Sequence, residues 1–434
     1  MNNKNLIYKV LRGLAFVSLA ISLVQYFTGN GATTGPFLTG FFVLLAIGFQ
    51  GSLRLKTFSY TIWIFVGVTA SLYYPAFFQT IGDFQLKTLI VPLLQIIMFG
   101  MGSQMSVNDF AGVIKMPKGV IIGIFSQYSI MPVVGFTIVK LFNFPTEIAA
   151  GVLLIGCAPS GLASNVMSYI AKANLVLAVS LAAIATMLSP LMTPLLMKWL
   201  AGELIEIKFW SMMLDIINMM ILPIVAGFIF NLFSKAATSS KDKIIQLCSY
   251  LLIIILKNFI YLQTSEASLS EVLTSFGRDM FWFFLLPIIL SSILKRAFDG
   301  FETWMDKVLS FVSMAGIAVI ITIITAAGRD SLLDVGLLLL LAVIVHNIAG
   351  YALGYSFAKL FKMPENDCRT IAFEVGMQNG GLASGLALQM GKIATVGLGP
   401  AIFGPLMNVT GSVLASIWKD LPPKDQSPAP EDLS

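Results

Sequence analysis

Glu374 stands inside an apolar run that turns polar and glycine-rich, Glu374-Val375-Gly376-Met377-Gln378-Asn379-Gly380-Gly381. An ionised carboxylate within a membrane helix costs roughly 2.5 kcal/mol or more even on lenient insertion scales. A carboxylate kept there points to a cation ligand or a proton carrier. The inert alternative is a Glu near a span end that snorkels to the interface, or one that pairs with Arg369, five residues earlier. A second stretch reads Gly156-Cys157-Ala158-Pro159-Ser160-Gly161-Leu162-Ala163-Ser164-Asn165. Proline removes an amide donor and clashes with the preceding turn, and adjacent glycines weaken a helix. Both stretches therefore predict unwound backbone in mid-membrane, which survives only when buried in protein or lining a water-filled cavity. Half-helix N-termini at such breaks aim partial positive charge at an anion, while freed carbonyls can hold a cation.

The other polar residues inside apolar runs are Gln127, Lys257 and the pair His346-Asn347. A buried Gln is either an inter-helix hydrogen bond or a ligand. His346 next to Asn347 reads as inter-helix glue, and Lys257 as facing protein or an interface. Cys157, Cys248 and Cys368 form no CxxC, and His346 is the single histidine, so neither a disulfide framework nor a zinc site is expected. No Gly-x-Ser-x-Gly, His-Glu-x-x-His or phosphate-loop motif is present, and Ser160 and Ser164 lack a neighbouring base. The chain is not expected to be an enzyme, and no organic cofactor is implied.

The elements that must hold these residues are membrane helices. Of 434 residues, 57% are hydrophobic and only 11% charged, against about a quarter charged in soluble domains. Apolar runs predict spans near 10–28, 37–53, 58–77, 88–104, 119–142, 148–170, 175–198, 210–233, 244–263, 280–295, 306–326, 333–361, 368–390 and 394–418, about fourteen in all. The first, preceded by Lys4, Lys9 and Arg12, reads as an uncleaved span, since no small-x-small cleavage site follows. With both termini in the cytoplasm, 19 Lys and Arg residues fall on the inner side, seven on the outer side and Lys257 within a span. This is the positive-inside pattern of a cell inner-membrane protein. The net charge of +5 is a topology signal, and no nucleic-acid partner is expected.

The chain also echoes itself. Lys140-Leu141-Phe142-Asn143-Phe144-Pro145 and Gly161-Leu162-Ala163-Ser164 return as Lys359-Leu360-Phe361-Lys362-Met363-Pro364 and Gly381-Leu382-Ala383-Ser384, at offsets of 219 and 220. Gly135 and Gly354 share the 219 offset, which also pairs Gln127 with His346; Pro190-Leu191-Met192 returns as Pro405-Leu406-Met407 at 215. The spans ending at Phe142 and Phe361 lie an odd number of spans apart, so the halves run in opposite directions. Inverted repeats of this kind mark secondary transporters, with the site at the repeat interface. The expected fold is an all-α polytopic membrane protein with a ten-helix core of two inverted five-helix repeats and two broken crossing helices. The domains are an N-terminal extension with two spans (1–56), a core (57–418, repeats 57–200 and 210–418, with an insertion at about 240–300) and a disordered tail (419–434).

With these residues in view, the chain resembles the bile acid:sodium symporter family over roughly 57–418, apart from the insertion near 240–300. The resemblance rests on Met98-Phe99-Gly100-Met101-Gly102, Ile121-Ile122-Gly123 through Gln127 to Met131-Pro132, Ala163-Ser164-Asn165-Val166-Met167, Leu188-Ser189-Pro190-Leu191-Met192-Thr193-Pro194 and, most diagnostic, Glu374-Val375-Gly376-Met377-Gln378-Asn379. It implies a panel domain, a core domain and sodium-coupled uptake of an organic anion by alternating access. It implies one sodium site from the side chains of Gln127, Glu374 and Gln378 with the carbonyls of Val375 and Met377, an oxygen set suited to a hard monovalent cation. A second implied site uses Ser164, Asn165 and Glu374 with two hydroxyls whose positions carry Ala178 and Ala182 here, and neither alanine can coordinate. The implied substrate region comprises Pro159, Ser160, Leu162, Ala163, Asn379 and Asn408. Leu162 replaces a family Thr, and Met407 takes a position that is His in some relatives. The expected partners are a small organic carboxylate, sodium as coupling ion and the lipid bilayer, with the protein acting as a monomer. A proton-coupled transporter or sodium/proton antiporter using Glu374 is the nearest alternative, and a non-transporting scaffold or sensor the one from another class.

Overall fold

The computed structural model describes residues 3–29, 31–52, 55–105, 115–234, 240–297 and 300–421. The described residues form sixteen main helices. In order these are α1 Asn3–Phe27, α2 Gly31–Phe49, α3 Lys56–Tyr73, α4 Ile90–Gln104, α5 Pro117–Phe142, α6 Thr146–Gly156, α7 Ala163–Ile170 and α8 Leu175–Ala201. There follow α9 Phe209–Ser234, α10 Ser240–Thr264, α11 Leu269–Ala297, α12 Phe301–Ala327, α13 Arg329–Leu360, α14 Glu365–Gly376, α15 Gly380–Gln389 and α16 Leu398–Asp420. Between α3 and α4 lie one helical turn, Ala76–Gln79, and a two-residue ribbon, β1 Thr80–Ile81 with β2 Phe84–Gln85.

Each of the fourteen expected spans has a helical counterpart. Among the described residues, ten helices are long and apolar enough to cross a membrane. Two spans are shorter helices, Thr33–Phe49 and Phe58–Tyr73. The spans expected at 148–170 and 368–390 are each two helices divided by a break, α6/α7 and α14/α15. One boundary differs widely: the span expected at 280–295 begins at Leu269. Its start is a capping box, in which the Ser268 hydroxyl and the Glu271 carboxylate satisfy each other's backbone amides. The hydrophilic face of its first turns conceals it from hydropathy. The last helix runs on to Asp420, two residues into the expected tail, and 422–434 lie outside the described residues.

The repeated motifs occupy matching local structures. Asn143 and Lys362 both adopt left-handed backbone, with φ of 49° and 54°, ending α5 and α13. Pro145 and Pro364 then start α6 and α14 with ψ of 142° and 150°. After the breaks, Lys172 and Gly391, also 219 residues apart, again take positive φ. The Lys-Leu-Phe-x-x-Pro echo is therefore a helix stop followed by a proline-led restart.

The helices form two groups. In one, α4 packs between α9 and α12, and α12 packs on α3. The α4–α9 contact is backbone to backbone: a Cβ on Gly102 would stand 2.1 Å from the Ile224 carbonyl oxygen. In the other group, α5, α8, α13 and α16 enclose the two broken helices. The pair α1–α2 packs on α3, and α10–α11 packs on α9, so both pairs extend the first group.

Candidate functional site

The two breaks meet. Ser160 and Gln378 form an antiparallel bridge. The Gly161 amide donates to the Met377 carbonyl at 2.8 Å, and the Asn379 amide donates to the Pro159 carbonyl at 2.8 Å. Backbone groups released by each break are thus satisfied by the other, as buried amides require. The approach leaves no room for a side chain, since a Cβ on Gly161 would lie 2.7 Å from the Gln378 carbonyl oxygen. Asn347 of α13 anchors one arm by donating to the Gly376 carbonyl at 2.8 Å, and Thr410 donates to its Oδ1 at 2.6 Å. The Asn379 side chain caps α15 by accepting the Leu382 amide at 3.0 Å.

The residues expected to hold a cation lie around this crossing. The Gln127 Nε2 donates to Gln378 Oε1 at 2.8 Å and to the Ala158 carbonyl at 3.0 Å, and Gln378 donates to the Val375 carbonyl at 2.6 Å. The Met377 carbonyl already accepts from Gly161. Glu374, 2% exposed, presents Oε1 to the Ser164 hydroxyl at 2.5 Å. That hydroxyl also lies 2.7 Å from the Gly161 carbonyl, and its one proton serves one acceptor at a time. Arg369 does not pair with Glu374; it bonds Glu365 at 3.0 Å and the Trp418 carbonyl at 3.1 Å. Positions five apart lie about 140° around a helix, whereas positions four apart share a face.

Among the described residues, four buried side-chain oxygens at the crossing have no hydrogen-bond partner: Glu374 Oε2, Gln127 Oε1, Asn165 Oδ1 and Ser160 Oγ. The first three are acceptors, and the fourth is a hydroxyl beside Glu374. Leaving one buried acceptor unsatisfied costs roughly 1–3 kcal/mol, and a cation satisfies acceptors that no donor reaches. Of the second implied set, Ser164 and Asn165 lie at the crossing, while Ala178 and Ala182 are buried in α8 at 0% and 2% exposure. The Ser160 side chain neighbours Glu374.

Beside the crossing, between the two groups, opens a cavity of about 690 Å³. Leu162, Ala163, Asn165, Asn379 and Asn408 face it, together with Tyr60, Ser310 and Ser313 from the first group. Among the described residues, no Lys, Arg, His, Asp or Glu lines it. Pro159 and Ser160, expected in the substrate region, do not line it; both are buried within the bridge. Sequence reasoning missed Ser310, Ser313 and Tyr60, which carry no breaker signal, and it missed Asn347 as the anchor of a break. His346 is fully buried against the Met131 carbonyl at 2.9 Å, as inter-helix glue would be.

A profile described as Sodium Bile acid symporter family matches residues 91–271. The uncharacterized sodium-dependent transporter YocS of Bacillus subtilis is 33% identical, over 85% of this chain and 93% of its own length. The chain belongs to the Sodium Bile acid symporter family. Other relatives are a probable sodium/metabolite cotransporter, BASS1, of Arabidopsis thaliana chloroplasts, 26% identical over 84% of this chain and 74% of its own, and the human ileal sodium/bile acid cotransporter, 27% identical over 71% of each. The protein is a multi-pass member of a family of sodium-dependent transporters, and its relatives are named as transporters rather than enzymes.

Proposed function

We propose that the protein imports an organic carboxylate together with sodium by alternating access. The observation that carries this reading is the set of three partnerless buried acceptor oxygens, on Glu374, Gln127 and Asn165, with the Ser160 hydroxyl beside them, at the crossing of two broken helices beside a cavity. On this reading the coupling cation is held by Glu374, Gln127 and Gln378 with the carbonyls of Val375 and Met377. Ser164 and Asn165 add oxygens on the neighbouring half-helix. The substrate carboxylate is held by the start of α7, by Asn379 and by Asn408. With no basic side chain among the described residues that line the cavity, its charge rests on amides and half-helix dipoles. The matched helix stops and restarts support two repeats of opposite direction, and the Lys and Arg distribution supports an inner membrane with both termini cytoplasmic. The protein is proposed to act as a monomer.

Binding moves the two groups relative to each other only if occupancy favours one arrangement over the other. The test is uptake into sodium-loaded and sodium-free vesicles by the wild type and Glu374→Gln. Gradient-driven uptake that survives in the variant refutes the cation assignment. A second reading, proton coupling through Glu374, draws on the buried alanines at 178 and 182. Uptake that follows pH and ignores sodium favours it.

A further inference from the structure

The insertion creates a second polar site, away from the crossing. On α9, Ser211, Asp215 and Asn218 recur at the spacing of one helical face, and all three border a cavity of about 500 Å³. On α10 the facing residues are Lys257, Tyr261 and Thr264, and on α11 they are Glu271, Thr274 and Arg278. Three helices that should present lipid-compatible surfaces instead turn polar stripes toward one another. Such stripes are stable between membrane helices when they pair with one another or surround water or a polar ligand. The cavity reaches the connection between α10 and α11, where Thr264 and Ser265 line it.

Charge decides what the cavity would take. Lys257, 3% exposed, lies 2.7 Å from Asp279 Oδ2 and 2.9 Å from the Ser275 hydroxyl, and Asn258 donates to the same Asp279 oxygen at 3.1 Å. Lysine and aspartate here neutralise each other. Glu271 is engaged in its own capping box. Arg278 is 62% exposed at the rim. The half-buried Asp215 forms no hydrogen bond or ion pair among the described residues. It is left as an unanswered negative charge among hydroxyls. No group of three or more His, Cys, Asp or Glu side chains close enough to hold a metal occurs among the described residues, which disfavours a divalent or transition metal.

We propose that Asp215 and the hydroxyls around it bind a monovalent cation, either an alkali ion or a protonated amine, and that this site bears on the transport cavity through one turn of α9. Residues Ile217–Ile221 form a π-helical turn, a local widening often found at functional sites. Within it, Asn218 faces the polar cavity and its carbonyl accepts Gln95 of α4 at 3.1 Å. The next residue, Met219, packs against the second broken helix, where a Cβ on Gly385 would meet its sulfur at 3.0 Å. A cation beside Asp215 therefore acts on a turn that touches both the first helix group and α15.

The test uses the purified full-length chain, with choline replaced by sodium, potassium or methylammonium at constant ionic strength. With the crossing carboxylate neutralised by Glu374→Gln, a cation-dependent rise in melting temperature is expected to persist, and Asp215→Asn on that background is expected to abolish it. No rise in Glu374→Gln, or the same rise in the double variant, overturns the proposal. The arm that responds separates a metal ion from an amine. A second measurement guards against a variant that folds poorly. In a Cys248→Ser background, which removes the exposed thiol and leaves the buried Cys157 and Cys368, Thr264→Cys is treated with a water-soluble thiol reagent. Modification slowed several-fold by the active cation is expected. No modification, or one rate with every cation, refutes the site. Asp215 is read with Glu374 already neutral, so failure here is distinguishable from failure of the assignment at the crossing.

Discussion

Replacing Glu374 by Gln keeps the shape of the side chain and removes its charge. In the wild type, Oε1 is held by Ser164, and Oε2 accepts no hydrogen bond among the described residues although the Ser160 hydroxyl stands beside the carboxylate, so without a cation the carboxylate is a liability. With sodium bound only to the folded state at one hundred times its dissociation constant, stability rises by about 2.7 kcal/mol. An unfolding entropy of about 2.1 cal/mol/K per residue over 434 residues converts this to a rise in melting temperature of roughly 3 °C. The assay is thermal unfolding in detergent, with choline exchanged for sodium at fixed ionic strength. Wild-type protein should show the rise and the Gln variant should show less than half of it. In choline alone the order should reverse or level, because the variant no longer buries an ionisable acid. A full sodium response in Glu374→Gln would refute the assignment, as would a variant markedly less stable than wild type in choline.

Three further outcomes are expected. Gly161→Ala places a Cβ 2.7 Å from a backbone oxygen across the crossing, so the two breaks must separate, and sodium-driven uptake should be lost while the protein still inserts. Ala178→Ser with Ala182→Thr adds hydroxyls at two buried positions of α8; the sodium dependence of uptake should steepen, and an unchanged dependence would show that these positions do not face a cation. Lys257→Met strands Asp279 in a buried setting and should destabilise by about 3–5 kcal/mol, whereas adding Asp279→Leu should recover most of that loss; denaturation of the three proteins decides.

Much of the architecture was legible because membrane helices announce themselves by local composition. Pro159 and the glycines around Gly376 and Gly380 located both breaks, and the Lys-Leu-Phe-x-x-Pro echo located both helix stops. The one span misplaced, α11, shows the limit of that logic. Its first turns carry Ser270, Glu271, Thr274, Ser275 and Arg278, a polar face that serves a cavity, and hydropathy averages around the helix without regard to what each face meets. The partners of Glu374 show the same limit. Arg369 is near in sequence but on the wrong side of the helix, while Ser164, 210 residues away, is delivered by the crossing.

The sequence by itself determined where the chain must cross the lipid, where its helices must break and which carboxylate is costly enough to need a reason, since each depends on the free energy of a short segment in hydrocarbon. Only the tertiary structure decided which oxygens stand together, that Pro159 and Ser160 are consumed by the backbone bridge, and that Lys257 answers Asp279 while Asp215 goes unanswered. Those outcomes depend on distances between segments far apart in the chain, and no local average contains them.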